Sequence, residues 1–393
     1  MSNRIGEYVE RFPIAELLGD LIRMDTQNPP GNEGEAVEYI KQFFEKRAAN
    51  GQKVAMEVLD HGQGRASLIV KLPGEKKEGL AFVGHLDTVP AEEIDKWKYP
   101  PLEAVVEDGK MYGRGGSDMK GGDASMMIAA GYFLDNPVPL PRDLYFIFTA
   151  DEETGSKGIR AVRQTGVFHK VSEVLVGEPT DNRIGIFEKG AIGIDFTASG
   201  KAAHAALPEE GINAIERLGE FIDRLKEACR TERKSRFGDR MSIAVTMTQG
   251  GCKNNIIPRQ CHSHIDVRTV HPQEHVEIIE HIERLAEEMA QGCGVQIEYR
   301  LNQNRLPIQV EEDAKIIRGL QEVYGQMGLE HEFTHVPYYT DMEEIAIEHP
   351  LPFAILGPGA RDIAHQTNEY ILLENVAKVA EIYIRYAAKT TEM

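Results

Sequence analysis

Histidines and carboxylates follow the apolar runs of this chain at the points where those runs end. They are His85 and Asp87 after residues 79–84, Glu152 and Glu153 after residues 144–150, and Glu178 after residues 174–177. Imidazole nitrogens and carboxylate oxygens are the ligands that zinc and similar divalent metals use in proteins. Ligands of an α/β sheet bind beyond the carboxyl ends of its strands. The pattern therefore predicts a metal site at one edge of a sheet, suited to metal-assisted hydrolysis.

Asp118 lies in a glycine-rich segment, residues 112–122, that precedes a predicted helix. Glycines let the backbone adopt conformations that other side chains would forbid, so the chain can crowd a site there. One carboxylate can bridge two metal ions that lie about 3.5–4 Å apart. Asp118 is the candidate for that bridge.

The adjacent carboxylates Glu152 and Glu153 point in different directions. One can therefore bind metal while the other stays free as a general base. Asp87 stands two residues after His85, on the same face of an extended segment. From there it can accept the second ring N–H and fix the tautomer of the imidazole.

Hydrophobic periodicity divides the chain into alternating helices and strands. Helix-period stretches cover residues 8–23, 34–50, 117–134, 211–229, 272–291, 311–326 and 373–388. Apolar, β-rich runs cover residues 54–59, 66–72, 79–84, 144–150, 173–177, 191–198, 241–248, 257–268, 294–300 and 352–357. The alternation in the first half predicts a mostly parallel sheet that is covered by helices on both faces.

From about Glu188 to Asn302 the predicted order changes to strand, helix, strand, strand, helix, strand. This order is typical of a two-layer α+β module. We therefore predict an α/β fold with a catalytic domain at residues 1–187 and 303–393 and an inserted α+β domain at residues 188–302. A chain of 393 residues also exceeds what one hydrophobic core usually serves.

Composition narrows the class of protein. No apolar run reaches about 18 residues, so we expect no membrane span, and the first residues lack the apolar core of a secretory signal.

The four cysteines form no C-x-x-C pair, which favours a reducing, cytoplasmic setting. In the segment Cys261-His-Ser-His264 the side chains alternate between the two faces of a strand, so we expect no metal finger there. A net charge of −19 argues against nucleic acid as a partner.

Six motifs, in this order, resemble those of the acetylornithine deacetylase, succinyl-diaminopimelate desuccinylase and carboxypeptidase G superfamily of di-zinc hydrolases. They are Gly84-His-Leu-Asp-Thr88, the glycine-rich residues 113–122, Asp151-Glu-Glu-Thr-Gly155, Gly177-Glu-Pro-Thr180, residues 250–258, and Gly357-Pro-Gly359 followed by residues 364–370. The resemblance extends from about residue 15 to the C-terminus.

The resemblance implies two Zn²⁺ ions per subunit, for which Co²⁺ or Mn²⁺ would suit similar ligands. The implied ligands are His85 and Glu178 for one ion, Glu153 and His365 for the other, and Asp118 as the bridge. Glu152 would be the general base that activates the attacking water, and Asp87 would orient His85. A cis peptide bond is expected between Asp118 and Met119.

The inserted domain resembles the family's lid, which also forms the dimer. The resemblance implies that His204 reaches the partner's active site and stabilises the oxyanion, which requires a two-fold homodimer. Asn255 and Arg268 match positions that hold a substrate carboxylate, a task that suits the planar fork of arginine. The backbone of Gly357 and Gly359 is a further candidate for contact with the substrate.

One difference from the desuccinylases and one similarity to the acetylornithine deacetylases indicate the substrate class. Where desuccinylases carry a run of arginines, this chain has Lys189-Gly-Ala-Ile-Gly193, which does not support a pocket for a succinyl tail. Residues 338–342 and 365–366 look closest to acetylornithine deacetylases. We therefore expect a small-molecule N-acyl amino acid as substrate, and neither nucleic acid nor membrane as a partner. A dipeptidase, aminoacylase or carboxypeptidase remains an alternative, as does a metal-dependent binding protein without catalysis.

Overall fold

The computed structural model describes residues 2–48, 53–136 and 138–389. Its helices are α1 Ser2–Arg11, α2 Ile14–Arg23, α3 Glu33–Ala48, α4 Gly121–Asp135, α5 Lys157–Gln164, α6 Ala214–Ala228, α7 Gln273–Cys293, α8 Lys315–Gln326, α9 Asp341–Ala346 and α10 Leu373–Ala387. Its strands are β1 Ala55–Gly62, β2 Arg65–Leu72, β3 Lys76–His85, β4 Val105–Glu107, β5 Lys110–Tyr112, β6 Arg142–Thr149, β7 Val171–Val176, β8 Ile184–Glu188, β9 Gly190–Ser199, β10 Ala203–His204, β11 Ser242–Gly250, β12 Ile256–Ile257, β13 Gln260–Thr269, β14 Gln296–Arg305, β15 Ile308–Gln309, β16 Phe333–Val336, β17 Phe353–Ile355 and β18 Tyr370–Leu372.

The chain forms two compact units. The first comprises Met1–Ile186, Gln309–Val336 and Thr340–Met393, and the second comprises Phe187–Ile308 and Pro337–Tyr339. Apart from the two-residue strands β10 and β12, the elements from β9 to β14 come in the predicted order of strand, helix, strand, strand, helix, strand. Within the described residues, every helix falls short of the length or apolarity that a bilayer crossing requires.

The large sheet has the strand order β1-β2-β6-β3-β7-β17-β8-β15, with β16 paired to β8. The predicted α/β class is confirmed, and the four central strands β6, β3, β7 and β17 pair in parallel. β1 and β2 pair antiparallel because only a short turn joins them, and β2 also pairs antiparallel with β6. The predicted mostly parallel sheet is therefore mixed.

The core of the first unit lies on both faces of the central strands. β6 is buried along its whole length, and β3 is buried from Gly79 to His85. The ring of Phe82 stacks on Phe146 with centroids 4.9 Å apart and packs at the same distance against Tyr383 of α10. A strand that is buried on both faces has a continuous apolar sequence, and the sequences of β3 and β6 show this pattern.

Two helix boundaries differ from the sequence prediction. The single helix expected over residues 8–23 is interrupted between Arg11 and Ile14, because Pro13 cannot continue a helix. The helix expected from residue 117 begins at Gly121. Before it, the chain makes an irregular turn in which Asp118 has the non-helical angles φ −125° and ψ 99°.

The second unit has two layers. Its sheet has the order β11-β13-β9-β14, and α6 and α7 cover one face. Alternate residues of β9, such as Ile194 and Phe196, enter the shared core, while the residues between them lie on the open face. β11 is an edge strand whose residues are almost all exposed, including Met247 at 70 %. β10 and β12 form a separate two-stranded ribbon.

Replacing Phe82 with Ala should lower the free energy of unfolding by about 3–5 kcal/mol, because a fully buried ring stacked on Phe146 is replaced by a cavity. Urea unfolding followed by the fluorescence of Trp97, the one tryptophan of the sequence, measures the change in the first unit. The control Val106→Ala, at a side chain that is 47 % exposed, should shift stability by no more than about 0.5 kcal/mol. Equal effects of the two variants would contradict this account of the core.

Candidate metal centre

The register of the central strands brings the predicted ligands to one edge of the sheet. His85 ends β3 opposite Thr149, the last residue of β6. Val83 pairs with Val176 at the end of β7, and Glu178 follows two residues later. Because these strands are parallel, their carboxyl ends coincide, and side chains that are distant in sequence meet there.

The first ligand group consists of His85, Asp118 and Glu178, all of them buried. His85 Nε2 lies 3.1 Å from Asp118 Oδ1 and 3.6 Å from Glu178 Oε1. Burial raises the pKa of Glu178 well above its usual range, and the negative charge of Asp118 raises it further. His85 opposes this rise, and a bound metal ion would supply further positive charge to the buried carboxylate.

The second ligand group consists of Asp118, Glu153 and His365. His365 Nε2 lies 3.2 Å from Asp118 Oδ2 and 3.1 Å from Glu153 Oε1. Hydrogen bonds to these two carboxylates raise the pKa of His365 to about 10. The two groups share Asp118, which presents one oxygen to each group and so has the geometry of a bridge.

The donor atoms fit a pair of zinc-like ions. In a tetrahedral site with bonds of about 2.1 Å, neighbouring ligand atoms are about 3.4 Å apart. The four distances that join the ring nitrogens to the carboxylate oxygens range from 3.1 to 3.6 Å. Each group offers nitrogen and oxygen donors, which suits zinc, cobalt or manganese. The two groups therefore have the donor types and spacing to hold one ion each.

Asp87 makes contacts that the sequence prediction only partly anticipated. The Nδ1 atom of His85 hydrogen-bonds the backbone carbonyl of Asp87 at 2.9 Å, and the carboxylate is farther away at 3.6 Å. The carboxylate instead accepts the backbone N–H groups of Glu152 at 3.1 Å and Glu153 at 3.2 Å. Asp87 thus fixes His85 mainly through its main chain, and its side chain holds the two glutamates.

Glu152 is buried beside the ligand groups without belonging to either of them. Burial raises the pKa of Glu152 well above its usual range, and the neighbouring carboxylates of Glu178 and Glu153 add to the rise. A carboxylate with a raised pKa is a stronger base, and so it is better matched to proton transfer near neutral pH.

The turn that carries Asp118 is held by a buried ion pair that sequence reasoning missed. The peptide between Asp118 and Met119 is cis, as the resemblance implied. Glu369 accepts the backbone N–H groups of Ser117 at 2.8 Å and Asp118 at 3.1 Å. The same carboxylate pairs with Arg114, whose guanidinium also donates to the His365 carbonyl at 3.4 Å. This ion pair therefore contacts the backbone of two candidate ligands, Asp118 and His365, that are far apart in the sequence.

A second cluster missed by the sequence analysis surrounds Asp151. Its carboxylate pairs with Arg65 at 2.7 Å, and Arg65 also donates to Glu33 at 3.0 Å. Asn28 contacts the same carboxylate at 3.2 Å and that of Asp87 at 2.8 Å. The Asn-Pro-Pro-Gly sequence at residues 28–31 was the available signal, because it marks a turn. In the structure Asn28 is buried in this turn, beside the residues that follow β3.

In the second unit the structure brings two of the predicted residues together. His204 in β10 pairs with Ile256 in β12, and the N–H of Ala205 donates to the carbonyl of Asn255 at 3.0 Å. His204 and Asn255 are both exposed on this ribbon. The Nδ1 atom of His204 accepts the N–H of Ala206 at 3.1 Å, so its ring proton lies on Nε2, which makes Nε2 a donor.

The remaining predicted substrate contacts are already engaged within the chain. Arg268 makes a two-pronged ion pair with Asp266, at 2.8 Å through Nε and 3.1 Å through Nη2. The N–H of Gly357 donates to Thr180 Oγ1 at 3.1 Å. A Cβ atom on Gly357 or Gly359 would lie within 2.1 Å of a backbone oxygen, so both glycines permit close packing of the loops around the ligands.

A mixed α/β sheet with two ligand groups joined by one aspartate, next to a buried glutamate outside both groups, defines a candidate dinuclear metallohydrolase. The family model described as Peptidase family M20/M25/M40 matches residues 81–389. The chain therefore belongs to this family, which confirms the superfamily that the motifs indicated, and it is an enzyme of this family of metal-binding hydrolases.

The relatives cover nearly all of the chain. An acetylornithine deacetylase of Myxococcus xanthus is 27 % identical over 380 residues, covering 94 % of this chain and 96 % of that protein. A probable succinyl-diaminopimelate desuccinylase of Staphylococcus epidermidis is 25 % identical over 397 residues, covering 93 % and 95 %. The crystal structure of an M20 family metallo-carboxypeptidase from Sulfolobus solfataricus is 17 % identical, covers 96 % and 99 % of the two chains, and has a TM-score of 0.79. The last comparison shows a shared fold.

Replacing Glu369 with Gln should lower the free energy of unfolding by about 3–5 kcal/mol, because Arg114 is then buried without its carboxylate partner. Urea titration of the purified variant measures the change. Glu322→Gln, which breaks an exposed ion pair with Lys389, is the control and should cost at most about 1 kcal/mol. If Glu369→Gln costs as little as the control, the ion pair does not hold the turn in place.

Proposed function

We propose that this protein is a two-zinc amidohydrolase that removes the acyl group of an N-acyl amino acid, in the manner of an acetylornithine deacetylase. The observation that carries the proposal is the pair of ligand groups sharing Asp118 beside the buried Glu152. We assign the first unit the catalytic role and the second the roles of lid and dimerisation domain. The free cysteines Cys229, Cys252, Cys261 and Cys293 support a cytoplasmic location.

The proposed ligands of one ion are His85, Glu178 and Asp118, and those of the other are Glu153, His365 and Asp118. When bound, the two ions supply Lewis acidity that polarises the scissile carbonyl and lowers the pKa of the attacking water. His85 is aligned for this by the bond from Nδ1 to the Asp87 carbonyl, which leaves Nε2 facing Asp118 and Glu178.

Glu152 carries the proton. Its carboxylate takes one proton from the attacking water as the C–O bond forms, and it delivers that proton to the leaving nitrogen as the C–N bond breaks. The products are a carboxylic acid and a free amine. The hydrogen bond between the Glu152 N–H and Asp87 holds the base in place through both transfers.

Recognition of the substrate is assigned to the second unit. Arg268 would bind the carboxylate of the amino acid through the part of its guanidinium that Asp266 does not occupy, with Asn255 donating alongside. The loop of Gly357 and Gly359 would lie beside the substrate, with Gly359 as the candidate backbone donor, because the Gly357 N–H is bonded to Thr180.

We propose that His204 stabilises the oxyanion in the partner subunit's active site. The Nε2–H tautomer and the exposure of the ribbon suit a residue that reaches beyond its own unit. The exposed edge strand β11, with Val245 42 % and Met247 70 % exposed, offers a surface on which a second copy can pair. In a two-fold dimer, each active site would receive His204 from the other subunit, and β11 would form part of the interface.

Replacing Glu152 with Gln should reduce kcat by a factor of about 10²–10⁴, with metal content unchanged, because the base is lost and every proposed ligand remains. Zinc- or cobalt-loaded protein is assayed for amine release from N-acetylornithine, other N-acetyl amino acids, N-succinyl-diaminopimelate, dipeptides and a folyl-glutamate analogue. Glu92→Gln, at an exposed side chain outside the site, is the matched control.

Turnover of one acyl amino acid, lost in the Glu152 variant, supports the deacylase. Turnover of dipeptides alone would replace it with a peptidase, because an acyl-specific pocket rejects a free ammonium group. Binding of an N-acyl amino acid by the metal-loaded dimer without any turnover would favour a binding protein that does not catalyse hydrolysis.

Heterodimers of a Glu152→Gln chain and a His204→Ala chain should regain about half of the wild-type rate, because action in trans leaves one of the two sites intact. The two chains are co-expressed with different tags, and the heterodimer is isolated by two affinity steps. Each homodimeric variant serves as a control with little activity. An inactive heterodimer would show that His204 acts in its own subunit, whereas a fully active His204→Ala homodimer would show that it does not act in catalysis.

A further inference from the structure

The segment before α3 is attached to the end of β3 at backbone level. The N–H of Asn28 donates to the Thr88 carbonyl at 2.8 Å, and the N–H of Thr88 donates to the Thr26 carbonyl at 3.1 Å. The hydroxyl of Thr26 adds a bond to the Leu86 carbonyl at 2.7 Å. Asn28 therefore has a fixed position beside the residues that follow His85, and it is only 4 % exposed.

The side-chain amide of Asn28 lies between two buried carboxylates. Its Nδ2 atom is 2.8 Å from Asp87 Oδ2, 3.2 Å from Asp151 Oδ1 and 2.7 Å from Thr154 Oγ1. An amide nitrogen carries two hydrogens, and a carboxylate can only accept them. Asn28 thus joins Asp87 to the turn that begins at Asp151 without adding charge to either.

Asp87 transmits this contact to the catalytic pair. Its Oδ2 atom accepts from both Asn28 and the Glu153 N–H at 3.2 Å, and its Oδ1 atom accepts the Glu152 N–H at 3.1 Å. Asp151 immediately precedes the pair, and its Oδ1 atom, which Asn28 contacts, also pairs with Arg65 at 2.7 Å. The position of the Asp87 carboxylate therefore sets where the backbone of both glutamates lies.

From these contacts we infer that Asn28 is a positioning residue for the Glu152–Glu153 turn, an inference that rests on the function proposed for that site. Asn28 touches no reacting atom. It acts through Asp87 and Asp151, whose two carboxylates it holds at the spacing that places the base and the adjacent metal ligand together.

The side chain at position 28 must be a short, neutral donor. Aspartate has the same shape, but it would place a third carboxylate against Asp87 and Asp151, with only repulsion between them. Alanine would remove the repulsion and the donor together, and among the described residues it would leave the Glu153 N–H as the donor to Asp87 Oδ2. The two substitutions separate the effect of charge from the effect of the lost bond.

The experiment compares Asn28→Asp and Asn28→Ala with the wild type and with Asn136→Asp, a matched change at the C-terminal cap of α4. We expect Asn28→Asp to lower kcat about 100-fold, since a displacement of about 1 Å can cost that much, while KM stays within about threefold. Asn28→Ala should give a smaller loss, and Asn136→Asp none. Melting temperature and metal content are measured on each protein.

The visible absorption spectrum of cobalt-loaded protein gives a readout that does not depend on turnover. Displacement of Glu153 changes the ligand field, so the bands of Asn28→Asp should shift while those of Asn136→Asp match the wild type. Unchanged spectra together with wild-type kcat in both Asn28 variants would overturn the inference, as would losses of kcat that only follow the unfolded fraction. A wild-type protein that hydrolyses nothing refutes the proposed function, and the spectra then decide the positioning role independently.

Discussion

Buried negative charge at the carboxyl edge of the large sheet is the constraint on which the rest of this structure depends. Within a few ångströms the chain gathers the carboxylates of Asp87, Asp118, Glu152, Glu153 and Glu178, four of them in buried residues. Removing a charged group from water is costly unless it is paired or hydrogen-bonded. The side chains and backbone groups around the site determine how far each of these charges is compensated.

The compensation divides the carboxylates into two kinds. Burial alone would raise the pKa of Asp87 and Asp151. The nearby His85 imidazole and a hydrogen bond from Asn28 hold the pKa of Asp87 below its usual range, and hydrogen bonds from Thr154 and Asn28 do the same for Asp151. These two acids remain ionised and act as fixed acceptors. Within the described part of the chain, Glu152 and Glu178 receive no comparable set of donors, and their pKa values are raised. The first kind orders the site, and the second has the raised pKa that suits the metal-binding and proton-transfer roles proposed for Glu178 and Glu152.

The residues that meet in the two candidate ligand groups could be proposed from the sequence, because each lies at a strand end or in a loop with a recognisable motif. The long buried strands and helices could be predicted for a related reason, since their hydrophobic period is repeated many times. Short elements such as β4, β5 and α9 span three to six residues, too few for a period to show. Pro13 is visible in the sequence, but the apolar period of a helix continues on both sides of it, so the period predicted one uninterrupted helix.

By itself, the sequence determined which side chains can do chemistry, where the strands that carry them end, and which family the chain belongs to, because these properties are local or preserved as motifs. Only the tertiary structure decided what holds those side chains in place. Asn28 and Asp87 are 59 residues apart, and Arg114 and Glu369 are 255 apart. Such contacts depend on how parallel strands and distant loops pack at one edge, and no periodicity or spacing within a segment records that packing.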